Sequence, residues 1–427
     1  MGIYLICYLS AYLFARAEYY WLSGLVLLGA ALWLYWLDYR NSGNALHLRA
    51  LFGLFWVGGE GLSCLKLSQL QKPWSGETWC CFLVAYLCFW LSFEWLSQQW
   101  GRVDRRTRES RNLQGTENGL YAGVLGITGI ASIAFLIEAL YLGYVPLFTV
   151  GVPHAYSYFH ITGLHYFTVS CVLVPSLAVL YFYVERGRDS MRAAIVLLCS
   201  VVSLLIPILC VSRFQLIFAV LLAVFSGILT RKQVHVLLLA GGAFGMVLLY
   251  VLLTVARAHD VSYLNGIFEM KRANMPIFIT QPYMYIANNY DNFNCLVNEL
   301  PSHTFGLRML FPLWALTGLK FLLPQLVNFP IFVTKTELTT LTLFYDAYYD
   351  FGILGVGVFA LLLGAVAYAL MREVSKIQNP VGYLIYAQFA AYLLLSFFST
   401  WFSNPTTWFY FIVTAAVYVL CGRRRWR

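Results

Sequence analysis

Apolar residues in this chain do not alternate with polar ones, nor recur at helical spacing on one face. They run together in stretches of about 17–25 residues, the length an α-helix needs to cross a bilayer. Such stretches lie near 2–15, 20–37, 47–65, 77–97, 119–143, 166–185, 193–211, 214–230, 235–256, 351–371, 381–401 and 405–421. The pattern predicts an all-α polytopic membrane protein of about 12 spans, because open sheets cannot cross lipid and barrel strands would alternate. The first stretch, at the N-terminus, lacks a basic leader and a small-residue cleavage motif, so it reads as a retained span.

Connections between spans are short except one. The chain therefore divides into helices 1–9 (1–256), one long segment (257–350), and helices 10–12 with a basic tail (351–427). A segment of that length with no structure of its own is uncommon unless functional or disordered. This one carries Trp314, many Tyr and Phe residues and the apolar run 309–323, so it is expected to fold. Pro312 and Pro324 and its short length make 309–323 an interfacial or re-entrant piece rather than a span.

Composition agrees with the pattern: 60% of residues are hydrophobic and 11% charged, against about 25% charged in soluble domains. The net charge of +9 has a topological origin. Arg40, Arg49, the five arginines of 102–111, Arg186, Arg188, Arg192, Arg231, Lys232, Arg372, Lys376 and the four tail arginines all fall on one side of a twelve-span arrangement. The positive-inside rule makes that side, with both termini, cytoplasmic. The long segment then faces outward. Basic residues scattered over many loops do not form a nucleic-acid surface. The ten cysteines lie mostly within spans and show no CxxC pair, so neither a zinc site nor a disulfide framework is indicated. No P-loop, HExxH or GxSxG motif occurs.

Candidate chemistry lies at the outer edge. Arg213 stands between two apolar spans in Val-Ser-Arg-Phe-Gln, where the positive-inside rule disfavours a cation; an arginine there is either a phosphate-binding fork or a snorkelling turn residue. The long segment adds Arg257, Arg272 and Arg308. Its run Tyr285-Ile-Ala-Asn288-Asn289-Tyr290-Asp291-Asn-Phe-Asn mixes amides, a carboxylate and rings, a set that suits carbohydrate; an Asn-rich turn stapled by aromatics is the competing reading. His303, Glu299 and Asp350 are candidate proton acceptors, with helix capping the alternative for Asp350. Glu60, Glu94 and Glu138 lie in or near spans, where carboxylates are functional or paired. The histidines at 154, 160 and 165 are spaced wrongly for a metal triad. Gly352, Gly355, Gly357 and Gly364 are expected to permit close helix packing.

Three features together resemble the bacterial oligosaccharide repeat-unit polymerases, the Wzy-type O-antigen and capsule polymerases. They are Ser212-Arg213 leading an aliphatic helix, the long outer segment entered at Arg257 with its Tyr/Asn-rich run, and Asp350-Phe-Gly-Ile-Leu-Gly355 opening the next span. The resemblance implies a GT-C-like fold and an inverting, metal-independent glycosyltransferase without cofactor. Its donor and acceptor would be oligosaccharides on undecaprenyl diphosphate, and its product an O-antigen, capsule or exopolysaccharide on the outer face of the cytoplasmic membrane. A chain-length regulator is an expected partner. In that reading Arg213, Arg257 and Arg272 stabilise the departing diphosphate, and His303, Glu299 or Asp350 receives the acceptor proton. The related O-antigen ligases and the lipid-linked oligosaccharide flippases are the rivals.

Overall fold

A computed structural model describes residues 1–101, 116–149, 155–185, 189–230, 266–272, 275–374 and 376–422. Among them every regular element is helical; the only strand-like feature is one isolated bridge between Ser68 and Met270. Among the described residues eight helices are long and apolar enough to cross a membrane: Tyr20–Ser42, Gly76–Trp100, Glu117–Leu142, His165–Glu185, Ser190–Leu209, Arg213–Thr230, Tyr345–Val374 and Pro405–Gly422. The chain is thus an all-helical polytopic membrane protein. Gly2–Arg16 and Val381–Leu394 are apolar but shorter, and the stretch 48–64 is helical through a single π-turn at Gly53–Val57. The expected span at 235–256 lies outside the described residues.

The helices gather into two compact units. Unit 1 combines the described residues of Met1–Arg108, Asp260–Ser375 and Tyr392–Pro405. Its main contact joins Tyr345–Val374 to Gly76–Trp100. At their crossing Gly364 lies against Phe89 O and Ser92 Oγ so closely that any Cβ would overlap them. The sequence-based packing role for that glycine is therefore realised. Unit 2 holds the described residues of Glu109–His259, Lys376–Ala391 and Thr406–Arg427. Its core packs Val174–Glu185 against Arg213–Thr230 and Glu117–Leu142.

The Asn-rich run is neither a loop nor a turn. It forms the middle of a helix, Ile277–Glu299, in which every residue from Ala287 to Asn294 is buried. Residues 309–323 form two short helices, Phe311–Leu316 and Leu319–Leu322, rather than a span.

Candidate functional site

In unit 1 the polar groups of the Ile277–Glu299 helix are tied to the protein itself. Asp291, 2% exposed, accepts from Lys66 Nζ at 2.5 Å, Trp74 Nε1 at 2.9 Å, Ser63 Oγ at 3.0 Å and Gln71 Nε2 at 2.7 Å. The Lys66 ammonium also sits 4.5 Å from the Trp74 ring centre, and its backbone adopts φ 48°. Asn288 takes the Thr334 hydroxyl at 2.8 Å. Asn289 donates to the carbonyls of Tyr285 and Phe397, both at 2.7 Å, and Asn292 to those of Leu338 and Thr340 at 2.7 and 2.9 Å. The Tyr290 hydroxyl donates to Trp56 O at 2.8 Å. Buried and bonded within the protein in this way, these amides and hydroxyls serve the fold rather than face a ligand. The carbohydrate-contact reading of Asn288, Asn289, Tyr290 and Asp291 gives way to a scaffolding one. Tyr285 is half-buried, its ring 6.3 Å from Phe398.

The other charges of the long segment gather at the start of the Tyr345–Val374 helix. That helix breaks at Gly352, whose φ 62° and ψ −150° are accessible to glycine almost alone. A Cβ there would also lie 3.2 Å from His303 Nε2. In the turn before the break Asp350 is fully buried, and its carboxylate accepts from Thr304 Oγ1, Arg308 N at 3.2 Å and Met309 N at 2.8 Å. Asp350 thereby pins the 304–309 loop, whose Phe305 and Gly306 both have positive φ. With its oxygens held by loop donors and shielded, Asp350 acts as a brace rather than a proton acceptor for a bound hydroxyl.

Pinning that loop aims Arg308. Its Nε donates to Asp346 Oδ1 at 2.7 Å, and its guanidinium carbon lies 4.5 Å over the Tyr349 ring. Burial alone would lower the guanidinium pKa; the Asp346 charge more than offsets that and raises it. A guanidinium has five N–H donors. One goes firmly to Asp346 and a second reaches Pro330 O only at 3.5 Å, so donors remain for an anion. Arg308 and Asp346 line a cavity of about 350 Å³. Thr400, Ser403 and Asn404 complete its polar wall; Leu307, Phe311, Leu326, Val327, Phe329 and Ile331 make the apolar one.

His303 stands beside this cluster. Its Nδ1 is 3.2 Å from Tyr349 O; a carbonyl only accepts, so the proton sits on Nδ1 and Nε2 is left as the acceptor. The ring is exposed and packs edge-on to Tyr348. Glu299 is exposed in the last turn of its helix. Arg272 is exposed as well, and Arg257 lies outside the described residues.

In unit 2 Arg213 opens the Arg213–Thr230 helix and is only 8% exposed, unlike a snorkelling arginine. The turn before it is tight: Val211 has φ 52° and Ser212 N donates to Pro207 O at 2.8 Å. In the same unit the buried Glu138 accepts from His165 Nδ1 at 3.0 Å, Thr168 Oγ1 at 2.7 Å and Ile161 N at 2.9 Å. The carboxylate expected to be functional or paired is thus paired, and it staples the 161–168 stretch to the Glu117–Leu142 helix. Glu94 likewise pairs with Arg49 in unit 1, at 2.6 Å. Glu60 is fully buried, with no hydrogen-bond partner among the described residues.

Sequence reasoning named Arg308, His303 and Asp350 separately; the structure brings them into one cluster. It missed Asp346 as the partner of Arg308, the polar wall at 400–404, and the Lys66–Gln71–Trp74 set around Asp291. The break Ser-Thr-Trp-Phe-Ser-Asn-Pro between two apolar runs was the one signal for the polar wall. Among the described residues no group of His, Cys, Asp or Glu side chains is arranged to hold a metal ion. Compared with known protein families, curated proteins and solved structures, the chain matches none.

Proposed function

We propose that this chain is a GT-C-like, twelve-span membrane glycosyltransferase with both termini in the cytoplasm. It would polymerise undecaprenyl-diphosphate-linked oligosaccharide repeat units on the outer face of a bacterial cytoplasmic membrane. The observation that carries the reading is the Arg308 cavity. It pairs a fixed guanidinium with hydroxyl and amide groups and with aromatic surface, the three chemistries a glycosyl diphosphate presents counterparts to.

In this reading an acceptor hydroxyl attacks the donor anomeric carbon. The bond from that carbon to the diphosphate oxygen breaks, and its electron pair leaves with the lipid diphosphate. Arg308 meets the developing charge, held in place by Asp346 below and Tyr349 beneath its face. Because the guanidinium is already braced, little reorganisation is needed as charge develops. The acceptor proton passes to His303 Nε2, the ring nitrogen not engaged by Tyr349 O. Asp350 works indirectly, by holding the loop that carries Arg308.

The test is chain growth from purified protein and a lipid-linked repeat unit, with Arg308→Ala and Arg308→Lys beside the parent. Losing one such donor lowers rate by about 10²–10³, and lysine restores charge without the fork. Normal ladders from Arg308→Ala at matched protein levels would overturn the reading. Transfer to a lipid A core instead of a second repeat unit would identify a ligase, and lipid translocation without transfer a flippase.

A further inference from the structure

The Arg308 cavity has two unlike walls, and the apolar one does not end inside the protein. Phe311 belongs to the short helix Phe311–Leu316. From there the chain presents Leu310, Leu313, Phe321, Leu322 and Leu323 outward, with Phe321 66% and Leu322 76% exposed. The two helices bearing them have six and four residues, far short of the ~20 needed to span, and neither belongs to a candidate membrane span. Large apolar side chains this exposed, close together on pieces of chain this short, mark a lipid-facing or ligand-facing site. Lys320 sits among them, its ammonium 5.1 Å from the Phe321 ring, as cations do at a headgroup boundary.

Size decides what each part can take. About 350 Å³ is near the lower end of small-ligand pockets, roughly 300–1,000 Å³. It accommodates a charged head group, not a long chain. An amphiphile seated with its anion on Arg308 must therefore carry its tail out past the apolar wall, and the exposed leucines and phenylalanine of 310–323 lie in the chain between two residues of that wall, Leu307 and Leu326. We propose that the apolar face of residues 310–323 is the track on which the polyisoprenoid tail of a lipid diphosphate docks while its diphosphate occupies the Arg308 cavity. This rests on the glycosyltransferase reading for the head group and adds the route by which the lipid enters.

The experiment uses the full chain in phosphatidylethanolamine/phosphatidylglycerol nanodiscs and a polyprenyl diphosphate carrying a diazirine in its tail, with adducts mapped by mass spectrometry. Adducts should fall within 310–323, be displaced by unlabelled undecaprenyl diphosphate, and drop roughly tenfold or more in Arg308→Ala, the loss expected for a charged hydrogen bond. Arg308→Lys should retain more of them. Phe321→Glu with Leu322→Glu, both exposed, should reduce labelling with no change in melting temperature. Equal labelling by a diazirine polyprenol or phospholipid, undisplaced by the diphosphate, would mean bilayer contact only and overturn the proposal. So would protein–protein crosslinks at these positions, which would mean a second copy covers them. Chain growth without tail adducts leaves the enzyme reading intact and removes the track. Displaceable adducts without any glycosyl transfer keep the track and remove the polymerase.

Discussion

Asp291→Ala separates a structural carboxylate from a substrate-binding one. The substitution leaves the Lys66 ammonium, 4% exposed, without its counter-charge, and leaves Gln71, Ser63 and Trp74 donors facing an empty site. Breaking a buried pair from one side costs ~3–5 kcal/mol. Each orphaned neutral donor adds ~1–3 kcal/mol, less than additively because all share one acceptor. At ~2–4 °C per kcal/mol for a unit of this size, the pair alone lowers Tm by roughly 6–20 °C. The assay is intrinsic-fluorescence melting of purified protein, favoured here because Trp74 itself bonds to Asp291. A second variant guards the logic. Lys66→Met with Asp291→Leu replaces both charges by apolar bulk, which is neutral or stabilising in many buried pairs, so it should recover the ion-pair part of the loss but not the part due to the Gln71, Ser63 and Trp74 donors. An unchanged Tm in Asp291→Ala, together with lost binding of a lipid-linked glycan, would falsify the scaffold argument and return Asp291 to the substrate.

Gly352→Ala forces a Cβ into a glycine-only backbone region and to 3.2 Å from His303 Nε2; a cost of ~1–3 kcal/mol is expected, read as a lower Tm with faster proteolysis at 304–309. Burial, reinforced by the neighbouring Glu299 carboxylate, pushes the Cys295 thiol up to about 11. The folded protein keeps its proton there through the window where a free cysteine, near pKa ~8.5, has lost it. Maleimide labelling of a variant carrying only Cys295 should therefore lag that of the unfolded chain from pH 8 to 10 and converge above 11. In unit 2, Glu138→Ala removes the acceptor of three donors and should cost at least ~2 kcal/mol, whereas Glu138→Gln, which keeps one oxygen for the Ile161 and His165 donors that share Oε1, should cost less. Gly364→Leu, with no room against Phe89 O, should prevent accumulation of folded protein, checked by size-exclusion after expression.

The spans were legible because lipid imposes one rule on long stretches: every backbone polar group must be satisfied within the helix, and the side chains must be apolar. Arg308, His303 and Asp350 stood out for a related reason, since charge in an aromatic-rich segment is rare enough to notice. Their roles were not legible. Asp346 and Asp350 are four residues apart on one helix, yet one grips the Arg308 side chain and the other its backbone nitrogen. Only the position of the loop, 38 to 46 residues away in sequence, assigns them. The Asn-rich run misled for the opposite reason. An amphipathic helix announces itself by an apolar stripe, but this helix is enclosed on all sides around residues 287–294, and its polar groups are satisfied by carbonyls and hydroxyls far along the chain. Nothing in its local pattern distinguishes a buried amide spine from an exposed sugar-binding loop.

That spine nevertheless bears on the cavity. Asn292 holds the backbone at Thr334, Leu338 and Thr340, immediately after the 326–331 stretch that supplies apolar wall. Asn289 holds Phe397 O, and Leu343 N donates to Ser396 O at 2.8 Å, just before Thr400 and Ser403 enter the polar wall. Two walls of one pocket, separated by some 70 residues of chain, are therefore referenced to the same helix. An apolar helix of equal length could fill the space, but van der Waals contact tolerates small slips that paired amide hydrogen bonds do not. In the proposed glycosyltransferase, a cavity that sets Arg308 against one oxygen of a leaving group would need that registration. In that reading the amides act on the chemistry indirectly, by fixing where the cavity walls stand.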